Sequence, residues 1–131
     1  MLRRLHALPI PVIAAVNGLA LGIGFGVVLT ADYVIASEQA WFQTPFKKLA
    51  SAPDSGLSWL LPKIVGVMRA KRMLLRGEKV DARTAQDWGI VAEVVSQDLL
   101  VQRAREVATE FANDATIALG EMKKLIFDGL I

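Results

Sequence analysis

Apolar positions run almost unbroken from Leu8 to Ala31, and no residue in that interval carries a charge. Its first part, "PVIAAVNG" (11–18), is rich in β-branched residues and ends in Asn-Gly, the pattern of a strand buried on both faces. "GFGVVLTA" (24–31) reads as a short buried helix, reached through the glycines of "GLALGIGFG". "DYVIAS" (32–37) and "AWFQT" (40–44) predict two further strands, the second ended by Pro45. Downstream the period becomes helical. "LSWLLPKIVG" predicts a helix stopped near Pro62 and Gly66. "VMRAKRMLLRG" (67–77) sets Met68, Met73, Leu74 and Leu75 against Arg69, Lys71, Arg72 and Arg76, and closes on Gly77. "DARTAQDWG" (81–89) opens on a good N-cap, Asp81, and ends in glycine. "IVAEVV" predicts a short strand, and "DLLVQRAREVATEFAN" and "DATIALGEMKKLIFDGL" two more amphipathic helices. Strands alternating with helices to about residue 95, then helices alone over about 96–131, make an α/β pattern with a helical tail.

The uncharged interval raises the question of a membrane. Its length meets the criterion for a spanning helix, and the basic start of "MLRRLHALPIPVIAAV" resembles a signal peptide. Pro9, Pro11, Asn17 and the glycines argue against both, because they are poor helix formers. A strand, turn and helix buried within a domain is the better reading, so no membrane partner is expected. A core strand so near the first residue also implies a neighbour to pair with, as in a piece of a larger domain.

Composition narrows the chemistry. With 131 residues the chain is one domain by length, and 53% hydrophobic against 21% charged residues excludes a disordered chain. Fifteen Lys+Arg against thirteen Asp+Glu leave a net charge of +2, with basic residues scattered, so no nucleic-acid partner is expected. The absence of cysteine removes disulfides and zinc–thiolate sites and suits a reducing, cytoplasmic compartment. A single histidine, His6, leaves no basis for a His-based metal site or triad, so no metal is expected and acid–base work falls to carboxylates. His6 is read as a surface or helix-face residue. Arg69, Lys71, Arg72, Arg76 and Lys79, like Lys123 and Lys124, are read as solvated faces, and Trp41, Trp59 and Trp88 as core.

Two stretches carry candidate chemistry. Gly18, Gly22, Gly24 and Gly26 form G-x-x-x-G-x-G-x-G, which is neither the dinucleotide signature nor a P-loop. The spacing fits a helix-packing seam. It equally fits a strand-to-helix turn whose first helical N–H groups, Ile23 among them, face an anion or a developing oxyanion. The second stretch is "LASAPDSGLSWLLP" (49–62), where Asp54 reads as a turn residue or, with Ser55, as the cap of a helix beginning near Leu57. Asp54 is also the only carboxylate between Glu38 and Glu78 and has Phe46, Leu49, Leu57 and Trp59 as sequence neighbours. Apolar surroundings raise a carboxyl pKa and poise it to move protons at carbon.

Taken together, "PIPVIAAVNGLALGIGFGVVLTADYVIASEQAWFQTPFKKLASAPDSGLSWLLPKIVG" and "AKRMLLRGEKVDARTAQDWGIVAEVV" resemble the crotonase superfamily, the enoyl-CoA hydratase/isomerase fold. The resemblance spans about Leu2 to Ile126 and covers the middle and later part of a family domain. It implies a partial spiral of ββα turns over about 1–95 followed by C-terminal helices. It further implies a homotrimer or dimer of trimers, and an acyl-CoA substrate whose thioester enolate is stabilised by two backbone N–H groups. Coenzyme A would be part of the substrate, with no separate cofactor. By match to A-L-G-x-G the second of those donors falls on Ile23, while Gly22 and Gly24 allow close approach. The first lies in an upstream motif that this sequence does not contain. Hydratases of the family carry glutamates at positions held here by Gly26 and Phe46. "F-x-T-P-F" followed by "S-x-P-D" resembles instead the Δ3,Δ2-enoyl-CoA isomerases and ring-opening phenylacetate-pathway isomerases, in which a carboxylate at the Asp54 position shuttles a proton. Phe46 and Leu49 would line the acyl pocket. The expected function is therefore a double-bond isomerase acting on an acyl-CoA. A non-catalytic acyl-CoA-binding or scaffold module and a hydratase are the alternatives.

Overall fold

The computed structural model describes residues 2–44 and 57–130. After a short helix α1 (Leu2–His6), the chain builds two sheets in alternation. Strands β1 (Ile13–Val16) and β2 (Leu19–Leu21) lead into helix α2 (Ile23–Thr30). The next turn repeats the step with β3 (Tyr33–Ser37) and β4 (Trp41–Gln43). Each strand lies parallel on its equivalent, Ile13 opposite Tyr33 in the first sheet and Leu19 opposite Trp41 in the second. Helices α3 (Leu57–Val65) and α4 (Val67–Arg76) follow, then β5 (Val80–Asp81), antiparallel to β4. Helix α5 (Ala82–Asp87) leads to β6 (Glu93–Val95), parallel to β3. The sheets thus read β1-β3-β6 and β2-β4-β5. A single 3-10 turn (Gln97–Leu99) opens the run of α6 (Leu100–Ala112) and α7 (Thr116–Leu130). This is the ββα spiral with C-terminal helices expected from the sequence.

The stretch 11–18 divides differently from the expectation. β1 takes only its middle, Ala15 is exposed, and Asn17-Gly18 turns the chain into the other sheet. β2 was not foreseen, because a three-residue strand with one buried side chain, Ala20, shows no periodicity. The fully doubly covered strand is β3. Val34 and Ala36 face the main core with Phe25, Phe42, Leu57, Leu61 and Met73, while Ile35 packs against Leu100 and Val107 of α6. That double burial is why "YVIAS" lacks a polar face.

Several boundaries move for identifiable reasons. Pro62 lies inside α3 and does not stop it. Leu57, Leu60, Leu61 and Val65 are buried at helical spacing, and that burial outweighs the one intrahelical bond the proline removes. The helix ends at Gly66, whose φ of +88° favours glycine. On α4 the buried residues are Ala70 and Met73, and Met68 and Leu75 point to solvent. Small Ala70 chose the face, which counting large apolar residues could not reveal. Of "IVAEVV", only Glu93–Val95 pairs as a strand, Ile90 and Val91 being buried in the connection. Asp81 caps α5 as expected, its carboxylate accepting from the Thr84 N–H at 2.8 Å, a bond that also lowers its pKa. Trp41 and Trp59 are not core. Both are exposed, and cations stack on them, Lys79 at 4.6 Å and Lys63 at 5.6 Å from the ring centroids.

Lys123 also departs from its expected solvated role. Its side chain is 10% exposed and its Nζ lies 2.7 Å from Asp32 Oδ2 and 2.9 Å from the Ile10 carbonyl. The same Asp32 oxygen accepts the Val12 N–H at 2.7 Å, so one carboxylate ties the entry to β1 to helix α7. Gly120 completes the seat, since a Cβ there would collide with the Pro9 carbonyl. His6 is half-buried, edge-on to Phe127 of α7 (4.8 Å between centroids) and to Trp59 of α3 (6.2 Å). Burial lowers its pKa, with nearby Asp32 opposing and Lys123 reinforcing the shift. On the far side of β3, Arg103 of α6 holds Glu93 through two bonds (2.7 and 3.0 Å), and the Tyr33 hydroxyl donates to the same carboxylate. Those bonds lower the Glu93 pKa.

Two outcomes follow for stability. Lys123→Met leaves the Asp32 carboxylate without its cation and is expected to cost on the order of 2 kcal/mol in urea unfolding, below the roughly 3–5 kcal/mol of a fully buried pair because Asp32 is partly solvated. His6, with a folded pKa below its unfolded value of about 6.5, binds its proton more readily unfolded. Its contribution is full above that value and is lost as pH falls from there through the folded pKa. Urea midpoints measured across that range are expected to fall with acidification in the wild type and to do so less in His6→Phe.

Candidate functional site

The candidate site is the start of α2. β2 must become a helix within one residue, and Gly22 makes that turn at φ +59°, ψ −118°, a conformation closed to residues with a Cβ. Its N–H donates to the Gln43 carbonyl at 3.3 Å, and its carbonyl accepts the Gly26 N–H at 3.0 Å. Both polar groups of Gly22 are therefore used. The next three amides, of Ile23, Gly24 and Phe25, belong to the first helical turn and have no carbonyl within the helix to reach. Among the described residues, no side chain caps α2. The helix dipole adds a partial positive charge at the same place.

The local sequence explains this opening. Leu19 and Leu21 are exposed on one face of β2 and Ala20 is buried on the other, so the strand reaches Gly22 with its pleat intact. Phe25, Val28 and Leu29 then anchor α2 in the core, Phe25 packing on Phe42 with ring centroids 5.6 Å apart. The buried Thr30 hydroxyl is satisfied by the Val27 carbonyl at 2.7 Å. The Ile23 side chain is 58% exposed, so the residue is held by its backbone. Gly24 is exposed as well, and a Cβ there would meet no atom of the described residues within 4 Å. Packing does not demand glycine at 24. Gly26 is buried.

Of the candidate residues, Gly22, Ile23 and Gly24 come together at this turn. Asp54, Phe46 and Leu49 fall in 45–56 and lie outside the described residues. The polar groups that sequence reading passed over are Gln43 and Thr44, at the end of β4. Gln43 Nε2 donates to the Gly77 carbonyl at 3.0 Å, and the buried Thr44 hydroxyl donates to the Met73 carbonyl at 2.8 Å. Two polar residues ending an apolar strand before Pro45 were the available signal. Next to Gly77, Arg72 grips Glu78 bidentately (3.0 and 3.1 Å), which lowers the glutamate pKa and raises that of the arginine.

Among the described residues, no group of three potential metal ligands occurs, and no helix is long and apolar enough to cross a membrane. Two clefts of about 600 and 420 Å³ lie under α7, the first lined by Pro9, Ile10, Gly120 and Phe127 and the second by His6, Leu60 and Met122. Neither includes the α2 turn, and Lys123, which borders both, already has its acceptors.

Comparison with known proteins agrees with the fold. A family model described as Enoyl-CoA hydratase/isomerase matches residues 1–129. The 1,2-epoxyphenylacetyl-CoA isomerase of Escherichia coli K12 is 41% identical over 126 residues, covering 96% of this chain and 48% of the relative. The carnitinyl-CoA dehydratase of Citrobacter koseri is 44% identical over 115 residues, covering 88% and 44%. The crystal structure of an enoyl-CoA hydratase/isomerase from Cupriavidus metallidurans CH34 superposes with a TM-score of 0.93 at 41% identity, over 95% of this chain and 47% of that one. An enoyl-CoA hydratase from Bacillus anthracis gives a TM-score of 0.95 at 37% identity, over 98% and 50%. The chain thus spans about half the length of the relatives it matches.

The α2 turn makes a paired test. Gly22→Ala is expected to lose about 1–3 kcal/mol through its positive φ. Gly24→Ala, with open space at its Cβ and better helix propensity, is expected to hold or gain up to about 1 kcal/mol. Thermal unfolding of the two variants side by side checks both.

Proposed function

Because the chain belongs to the Enoyl-CoA hydratase/isomerase family, we propose that it acts on an acyl-CoA thioester and shifts a carbon–carbon double bond through an oxyanion-stabilised enolate. The supporting observation is the α2 turn, where a glycine-only conformation at Gly22 leaves the Ile23 N–H unpaired within its helix. A preorganised amide of this kind suits negative charge that develops on a thioester oxygen, and loss of one such donor costs roughly 2.7–4 kcal/mol of transition-state stabilisation. Gly24, unconstrained by packing, would let the acyl group approach the backbone closely.

In the forward step the Asp54 carboxylate takes a proton from the α-carbon of a 3-enoyl thioester. The electron pair of that C–H bond moves into the α-carbon–carbonyl bond and onto oxygen, where Ile23 N–H receives the charge. As the enolate collapses, the γ-carbon takes the proton back from Asp54 and the double bond comes to lie between the α- and β-carbons. No water enters and no electrons leave, so coenzyme A is the only carrier required and serves as part of the substrate. Phe46 and Leu49 would line the acyl pocket. A homotrimer or dimer of trimers would cover exposed apolar residues of α7, namely Ile117, Met122, Leu125 and Ile126.

A second reading, addition or removal of water, draws on the likeness to carnitinyl-CoA dehydratases at 42–44% identity. Against it, Gly26 offers no carboxyl group to handle water, and hydration ordinarily asks for an acid and a base. Incubation of a 3-enoyl-CoA and, separately, of a 2-enoyl-CoA in ¹⁸O-water separates the two. Isomerisation yields the 2-enoyl product free of label, whereas hydration places ¹⁸O on carbon. Asp54→Asn is expected to lower the isomerisation kcat by about 10²–10⁴; a variant that turns over at the wild-type rate would remove Asp54 from the mechanism.

A further inference from the structure

Gly22 has no side chain with which to hold the start of α2 in one orientation, and among the described residues no side chain caps the helix. The restraint comes from β4. The Gly22 N–H is bonded to the Gln43 carbonyl, so the Ile23 amide inherits its direction from wherever the end of β4 is held. That end is held from a distant part of the chain. Gln43 Nε2 reaches the carbonyl of Gly77, the left-handed residue (φ +66°) that closes α4, and the Thr44 hydroxyl reaches Met73 one turn earlier. The Met73 carbonyl already accepts the Gly77 N–H at 3.0 Å, so it does not need Thr44 to be satisfied. A Cβ on Gly77 would sit 3.5 Å from the Thr44 carbonyl oxygen, so helix end and strand end are in contact.

We propose that Gln43 and Thr44 are positioning residues, whose side-chain bonds to the C-terminal turn of α4 fix the β4 carbonyl that aims the Ile23 amide. This rests on the assignment of that amide to the thioester oxygen. Thr44 is also the last residue before the segment that carries Phe46, Leu49 and Asp54, so the anchor on the Ile23 side of the chemistry immediately precedes the segment of the proposed base. A loosened anchor acts on the transition state more than on substrate binding, because the oxyanion develops only as the reaction proceeds.

The test compares Thr44→Val, which keeps shape and loses the donor, with Thr44→Ser, which keeps the donor, in the intact protein. Amide hydrogen exchange is read at Gly22 and, as an internal control, at Ala36 in β3. Thr44→Val is expected to speed exchange at Gly22 about tenfold relative to Ala36, and Thr44→Ser to return it to the wild-type value. In turnover of a 3-enoyl-CoA, Thr44→Val is expected to lower kcat about tenfold with KM within about twofold, short of the ~10²–10³ for complete loss of a donor, and Ser to restore it. Unchanged Gly22 exchange in Thr44→Val overturns the positioning role, as does equal acceleration at Gly22 and Ala36, which marks general destabilisation. A kcat loss that Ser does not rescue overturns it too. A wild type that binds acyl-CoA without turnover overturns only the catalytic reading, and the exchange comparison still decides the positioning.

Discussion

The passage from β2 to α2 in a single residue is the constraint on which the site depends. A strand that ends on a helix without a loop leaves the first-turn amides at the sheet edge, and only glycine adopts the required backbone there. The spiral fixes the place of this turn, because β2 lies parallel on β4 and the Gly22 N–H is bonded to the Gln43 carbonyl. An unpaired amide in a mobile loop would be solvated and would lose its aim. Here the core contacts of Phe25 and Phe42 hold the helix behind it.

A second set of contacts holds the ends of the described chain together. Asp32, at the mouth of β3, receives the Val12 N–H and the Lys123 ammonium, and so links the first strand to the last helix. The interaction is electrostatic and largely shielded from water on the lysine side, which makes it sensitive to the loss of either partner. His6 sits beside it between Trp59 and Phe127, and its lowered pKa reflects the same burial. Glu93, gripped by Arg103 and Tyr33, performs the matching task between β6 and α6. Both ties join helices of the tail to the spiral, and both use charged residues that look solvated in a linear reading.

The proposed reaction turns on where carboxylates stand around the proposed oxyanion site. Gly26 is buried in α2 and brings no acid or base, and the proposal accordingly asks only for enolate stabilisation and a single proton carrier. Relatives with isomerase and dehydratase names match this chain at similar identity, so overall similarity does not separate the two reactions. The proposed distinction rests on individual functional groups, and they are few.

The α/β pattern with its helical tail was legible in local periodicity, the spiral order through the family resemblance, and the glycine stretch only as either a packing seam or a turn. The apolar run at 32–37 reads as the strand that became β3, and Gly66 reads as the stop of α3. The cap at Asp81 was legible for the same reason. What eluded the sequence depended on partners far along the chain. The three-residue β2 exists only because β4 offers it a ladder, and Pro62 stays within α3 because four leucine and valine side chains are buried around it. Ala70 turns α4 inward against larger Met68 and Leu75 because the space available fits it. Lys123 leaves the solvent because Asp32 and the Ile10 carbonyl receive it across the fold. The sequence by itself determined which backbone conformations were open at Gly22. Only the tertiary structure decided where the Gly22 amide is held, because the acceptor on Gln43 and its anchors on Met73 and Gly77 become neighbours through packing alone.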